Sequence, residues 1–141
     1  MLKILLPVDG SENSVRAVKH LITLAESCKA MEIVVMNVQP VFLYIEVFLK
    51  PGQDVIDNWT HKSGKEASRS ACAVLAAAGL RYTLDLAEGE VAETLADYAG
   101  KGKFDMIVMG TRGMGTVANL LLGSVATKVL HLAHIPVTLV K

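Results

Sequence analysis

FDMIVMGTRGMGTVANLLLGS, residues 104–124, joins a strand pattern to a glycine-rich turn in one run. Residues 104–109 are nearly continuously apolar, as a strand buried on both faces should be. Gly110, Gly113, Gly115 and Gly123 follow, and Ser124 opens a segment with helical spacing. Glycine lets backbone N–H groups turn toward a ligand and lets that ligand come close. A helix N-terminus adds unpaired donors and partial positive charge, which suits phosphate. The Ser124 hydroxyl is a further donor. Between residues 106 and 141 there is no Asp or Glu, and the cations are Arg112, Lys128 and Lys141. Tight turns alone would account for one such glycine. Four around one loop, after an inner strand, point to a phosphate site.

Around this run, short apolar stretches alternate with amphipathic ones. Residues 3–8 (KILLPV) predict a first strand, ending at Asp9-Gly10-Ser11, with Ser11 as a helix N-cap and Glu12 at the positive end of the helix. Val15, Val18, Ile22 and Ala25 recur at helical spacing. Residues 32–38 (EIVVMNV) predict a second strand, 54–78 a long helix stopped by Gly79, and 81–86 (RYTLDL) a third strand. Residues 90–99 predict a helix, 104–109 the fourth strand, 124–132 a helix and 135–140 (IPVTLV) the fifth strand.

Strict alternation predicts an α/β fold: a single Rossmann-like domain over residues 1–141, with a parallel sheet covered by helices on both faces. The third strand is half polar and the fifth contains Pro136, so these two belong at the edges. Strand order 3-2-1-4-5 satisfies this with right-handed crossovers. The order reverses between strands one and four, and ligands bind at the carboxyl ends of strands near such a point.

The chain has 141 residues, 52% of them hydrophobic, enough for one buried core. Fourteen Lys and Arg balance fourteen Asp and Glu, and aromatics are 5%. A charged disordered tail and a generic nucleic-acid binder are thereby excluded. No apolar run is long enough to span a bilayer, and no signal peptide opens the chain, so a cytoplasmic protein without membrane or nucleic-acid partners is expected. Cys28 and Cys72 form no C-x-x-C and read as buried small hydrophobes in a reducing compartment.

Two familiar nucleotide patterns fail. Ser124 follows Gly123 directly, without the lysine of a P-loop. Gly113-Met-Gly115-Thr-Val-Ala118 fits the loose dinucleotide form, but it follows the fourth strand and has no downstream acid for a ribose. What does fit is Gly110-x-x-Gly113, nine residues, then Gly123-Ser124. This resembles the G-2x-G-9x-G-[ST] motif of the universal stress protein family, in its ATP-binding branch. The opening KILLPVDGSENS and the closing GSVATKVLHLAHIPVTLVK are similar to that family's ends, and the resemblance spans all but residues 39–60.

The resemblance implies a small Rossmann-like domain, stress-related regulation and a homodimer through the last strand, residues 135–140. The residues agree on the dimer, because that strand is rich in β-branched side chains and leaves an unpaired edge. By matching position, Pro7, Val8, Asp9 and Val38 surround adenine and ribose. Met109 and Gly110 lie beside the ribose, and Gly113, Gly123, Ser124 and Val125 hold the phosphates. Gly115 and Arg112 belong to the same loop, where Arg112 either reaches phosphate or points to solvent. The ligand implied is ATP, ADP or AMP, with Mg²⁺ or Mn²⁺ held mainly by phosphate and water, since no carboxylate cluster is at hand. One departure, Gly89-Glu90-Val91 where many relatives have Gly-x-Pro, is expected to affect only the helix start.

Other constellations reduce to structure. Of His20, His61, His131 and His134, the last two are three apart but have no carboxylate near them in sequence and suit the end of a helix, and Asp85, Glu88 and Glu90 suit an exposed edge and a helix N-terminus. No residue is predicted as catalytic or as a metal ligand, and no general base accompanies the phosphate loop. Residues 39–52 (QPVFLYIEVFLKPG) read either as an element packed over the cleft or dimer interface, or as a flap for protein partners. The expected function is a nucleotide-dependent regulatory dimer in a stress or signalling response. A slow ATP hydrolase or other phosphotransfer enzyme is the alternative.

Overall fold

β1 (Leu2–Pro7), β2 (Met31–Gln39), β3 (Tyr82–Glu88), β4 (Met106–Gly110) and β5 (Val137–Val140) form one parallel sheet in the order β3-β2-β1-β4-β5. Between them run α1 (Glu12–Ser27), α2 (Gln53–Ala77), α3 (Val91–Lys101) and α4 (Ser124–Leu132). The expected α/β architecture and strand order are both observed. The computed structural model describes residues 1–28, 30–40, 50–113, 119 and 121–141. Gly115, and residues 41–49 of the apolar segment 39–52, lie outside the described residues.

Successive side chains of a strand point to opposite faces of the sheet. Leu5, Val34, Met36, Ile107 and Met109 accordingly pack under Leu95, Ala99, Ala126 and Val129 of α3 and α4. Ile4, Leu6, Ile33, Val35 and Val108 pack under Ala17, Val18, Leu21, Ala71 and Leu75 of α1 and α2. Each such large apolar side chain contributes about 1.5–3 kcal/mol when fully buried. Ser11 caps α1 as expected, accepting from the Ser14 N–H at 3.3 Å. Gly79 follows the α2 C-cap with φ +70°, a left-handed conformation that suits glycine.

Several element ends move from their expected places, each for a local reason. β5 starts at Val137 instead of residue 135, because Pro136 has no N–H to donate and enters the ladder only through its carbonyl, which accepts from Ile107 N–H. β4 starts at Met106, since Phe104 and Asp105 serve the turn before it. Asp105 accepts the Lys3 N–H at 2.7 Å, and the Phe104 ring lies 4.7 Å under the Lys3 ammonium. β3 extends two residues to Glu88, because Ala87 and Glu88 are held in the ladder opposite Val38 and Gln39. α3 starts at Val91 because Glu90 is its N-cap, accepting the Glu93 N–H at 2.8 Å. It runs through Gly100 to Lys101 because Ala99 is anchored in the core. Cys28 and Cys72 are half-buried free thiols, not buried ones. Among the described residues no helix is long and apolar enough to cross a membrane.

Candidate functional site

β1 and β4 are paired at Ile4↔Met106 and Leu5↔Ile107 and then part, because the helices that follow them leave toward opposite faces. A cavity of about 510 Å³ opens there, at the carboxyl ends of β1, β2 and β4. This is where an open α/β sheet binds its ligands, and the volume suits a small-molecule ligand.

The cavity is apolar at one end. Pro7 and Val8, with Val38 of β2 and Met109 of β4, supply its sheet side. Val91 and Leu95 of α3, four residues apart on one helix face, line it from above. At the other end it is polar. Gly110, Arg112, Gly113 and Gly123 bring the chain to the start of α4, where Ser124, Val125 and Ala126 also line the cavity. The α4 N-cap is Gly123, with no side-chain cap bond, so the first-turn N–H groups are not answered by a capping side chain. The loop itself is tied down: Gly123 N–H donates to the Thr111 carbonyl at 2.7 Å, and Thr111 N–H to the Val140 carbonyl at 3.0 Å.

Asp9 lies at the exposed mouth of the cavity. Its Oδ1 accepts from the Ser11 N–H at 2.9 Å and from the Ser14 hydroxyl at 2.8 Å. Its Oδ2 faces Gly113, closely enough that a β-carbon there would collide with it. The first-strand turn and the glycine turn therefore meet at a glycine and a carboxylate.

All the described residues assigned to the site from sequence come together around this one cavity, including Arg112, whose direction was open. Gly115 lies outside the described residues. The cationic count was a poorer guide. Lys128 is 3.2 Å from Glu90 and belongs to an ion pair between α4 and α3, and Lys141 does not line the cavity. Ser14, Met36, Asn37, Gln39, Pro40, Val91, Leu95 and Ala126 line the cavity without having been singled out. Asn37 carried a signal, as the one neutral polar residue in the apolar run 32–38.

The acidic residues near the end of β3 are each engaged separately. Asp85 accepts from the Tyr98 hydroxyl, whose pKa is pushed up to about 12 by burial and then by that carboxylate. Glu88 accepts from the Thr60 hydroxyl at 3.0 Å and from Gln53 Nε2 at 3.3 Å. The Glu93 N–H, and secondarily Lys128, hold the Glu90 carboxyl below its ordinary range. Gly89 and Glu90 thus shape the start of α3, as the departure there implied. Among the described residues no group of three or more His, Cys, Asp or Glu is arranged to hold a metal ion.

Comparison with known proteins bears on the whole chain. The model of the universal stress protein family matches residues 1–141. A universal stress protein of Methanocaldococcus jannaschii is 34% identical over 139 residues, covering 99% of this chain and 81% of that protein. The solved structure of hypothetical protein MJ0577 superposes with a TM-score of 0.83 at 26% identity, covering 99% of this chain and 95% of the other. A universal stress protein solved in complex with cAMP shares the fold at a TM-score of 0.70 and 24% identity, covering 99% and 97%. With the sheet order, the glycine turn and the full-length match in agreement, the chain belongs to the universal stress protein family.

Proposed function

We propose that this protein binds adenine nucleotides, ATP foremost, in the cleft between β1 and β4, and acts as a nucleotide-dependent regulatory dimer in a stress response. The observation that carries the reading is the convergence of an apolar slot at Val38 with the uncapped N-terminus of α4 and its glycine turn, in one 510 Å³ cavity. A flat apolar base at one end and an anionic chain at the other match that polarity. A protein of the same fold was solved with cAMP, an adenine nucleotide. Its likeness supports the fold, and the nucleotide assignment rests on this chain's own cleft.

In this reading Gly113, Gly123, Ser124 and Val125 hold the phosphates, Ser124 and Val125 supplying N–H and hydroxyl donors, with Gly115 and Arg112 in the same loop. Asp9 stands at the ribose end, and Pro7, Val8, Val38, Met109 and Gly110 enclose adenine and ribose. Mg²⁺ or Mn²⁺ would be held by phosphate oxygens and water. The assignment to the ATP-binding branch follows from Gly110, Gly113, Gly123 and Ser124 at the motif's spacing.

Donors alone hold ground state and transition state about equally, so ATP is retained rather than cleaved. The site lacks a second carboxylate beside Asp9 among the described residues, and Oδ1 of Asp9 is engaged by its own loop. Native mass spectrometry of the purified protein is expected to show carried-over ATP, ADP or AMP. Calorimetry is expected to show metal-assisted ATP binding, with turnover well below about 1 s⁻¹, the low end of ordinary enzymes. Absence of binding overturns the assignment. Faster turnover that falls on Ser124→Ala makes the protein a hydrolase or phosphotransferase instead.

The dimer is proposed through residues 135–140. β5 pairs with β4 on one side, and its outer edge has no strand beside it among the described residues. Pairing with a symmetry mate covers that edge in an isologous contact. Leu130 and Leu132, at the neighbouring end of α4, are 43% and 40% exposed, which supplies apolar surface near the same edge. Sedimentation is expected to give a dimer at micromolar concentration, and a monomer there would contradict the proposal.

A further inference from the structure

The ladder between β1 and β2 ends at the cleft, and a side chain takes the place of its next rung. Val8 N–H donates to the Met36 carbonyl at 2.9 Å. Parallel strands exchange bonds in regular alternation, so the following bond would run from Val38 N–H to the Val8 carbonyl. Instead that carbonyl accepts from Asn37 Nδ2 at 2.8 Å. A carbonyl only accepts, so the nitrogen end of the amide must face it. The oxygen end then accepts from Gln39 Nε2 at 2.7 Å.

Asn37 is 3% exposed and sits between apolar Met36 and Val38 in β2. An aliphatic residue there would bury no polar group and would free the Val8 carbonyl to close the ladder. The cost of burying an amide is met by two hydrogen bonds, and their effect falls on the next residue. The N–H and C=O of Val38 are directed to the β1 side, where β1 has ended and the cavity begins, and among the described residues neither has a hydrogen-bond partner there.

We propose that Asn37 is a positioning residue for base recognition: it occupies the Val8 carbonyl and so keeps the Val38 backbone open to a ligand. The proposal rests on the nucleotide reading above. An open N–H and C=O on one side of a strand form a donor–acceptor pair. Adenine offers the complement, an acceptor at N1 and a donor at the 6-amino group, whereas guanine presents these functions reversed. Asn37 thus sets which purine the cleft prefers without touching it.

The test uses the full chain, ATP, GTP and inorganic tripolyphosphate, with the variant Asn37→Leu, which cannot donate to Val8. In the unliganded native protein, the Val38 amide is expected to exchange with solvent much faster than that of Met36, and to slow when ATP binds. In Asn37→Leu it is expected to be protected without ligand. ATP affinity there falls about tenfold, the scale of one net hydrogen bond, and the preference for ATP over GTP shrinks. Tripolyphosphate, which lacks a base, binds both proteins equally. The proposal is overturned if Asn37→Leu keeps native ATP affinity, or loses ATP and tripolyphosphate alike. If the variant does not fold, the exchange measurement on the native protein decides, and a Val38 amide as protected as Met36 overturns it. A native protein that binds neither ATP nor tripolyphosphate removes the nucleotide reading itself, and this proposal with it.

Discussion

Replacing Gly113 with valine is expected to lower ATP affinity by roughly 10- to 100-fold while leaving the fold intact. The reason is a close approach of two turns. A β-carbon at Gly113 collides with Oδ2 of Asp9, whose Oδ1 is already held by Ser11 and Ser14. Neither partner can give way cheaply. Moving Asp9 breaks the bonds that shape the turn after β1, and moving residue 113 displaces the glycine turn from α4. Overpacking of this kind costs about 1–3 kcal/mol, and here it falls on the loop assigned to the phosphates. Gly113 lies beyond the end of β4 and outside both core clusters, so most of the cost is paid in binding rather than in stability. Calorimetry with ATP, beside circular dichroism to establish folding, checks this. A folded Gly113→Val protein with native affinity removes the loop from the site. Gly113→Ala already carries the offending carbon and is expected to show a smaller loss.

Gly110→Ala is expected to act on stability instead. A β-carbon at Gly110 lies 2.7 Å from Asn13 Cβ and 3.0 Å from the Asn13 carbonyl carbon and oxygen. These are backbone and near-backbone atoms of the first turn of α1, which cannot rotate aside as a side-chain tip can. The helix must lift from β4, and Ala17, Val18 and Leu21 carry that displacement into the core beneath it. The expected loss is about 2 kcal/mol, lowering Tm by roughly 4–8 °C for a chain of this size. Thermal unfolding of the two proteins side by side measures it. An unchanged Tm would mean that α1 approaches β4 less closely than the structure has it. Because α1 also holds Ser11 and Ser14 against Asp9, ATP affinity is expected to fall as well.

The contrast between these two glycines shows how much could be read from residue order. Both were legible as loop residues after an inner strand, Gly110 assigned beside the ribose and Gly113 to the phosphates. Which glycine faces the Asp9 turn and which faces a helix backbone depends on the approach of segments about a hundred residues apart in the chain. Element types were legible because their causes are local. The continuous apolar runs of residues 32–38 and 104–109 require burial on both faces, and Ser11, Gly79 and Pro136 act on their immediate neighbours. Edge and interior strands followed from the same patterns, and with them the order 3-2-1-4-5 and the position of the cleft.

Charge was read less well, because a count along the chain carries no distances. Lys128 lies in the acid-free segment yet reaches Glu90, thirty-eight residues earlier, across the gap between α4 and α3. Asn37 shows the same division. Its polarity within EIVVMNV was visible, but the Val8 carbonyl it occupies was not. That partner exists only because parallel pairing sets Met36 beside Pro7 and then lets β1 end. Periodicity and turn chemistry act over a few residues and are written in their order. Ladder register, strand endings and the close contact of distant turns arise when separate elements are pressed together, and here the tertiary structure decided them.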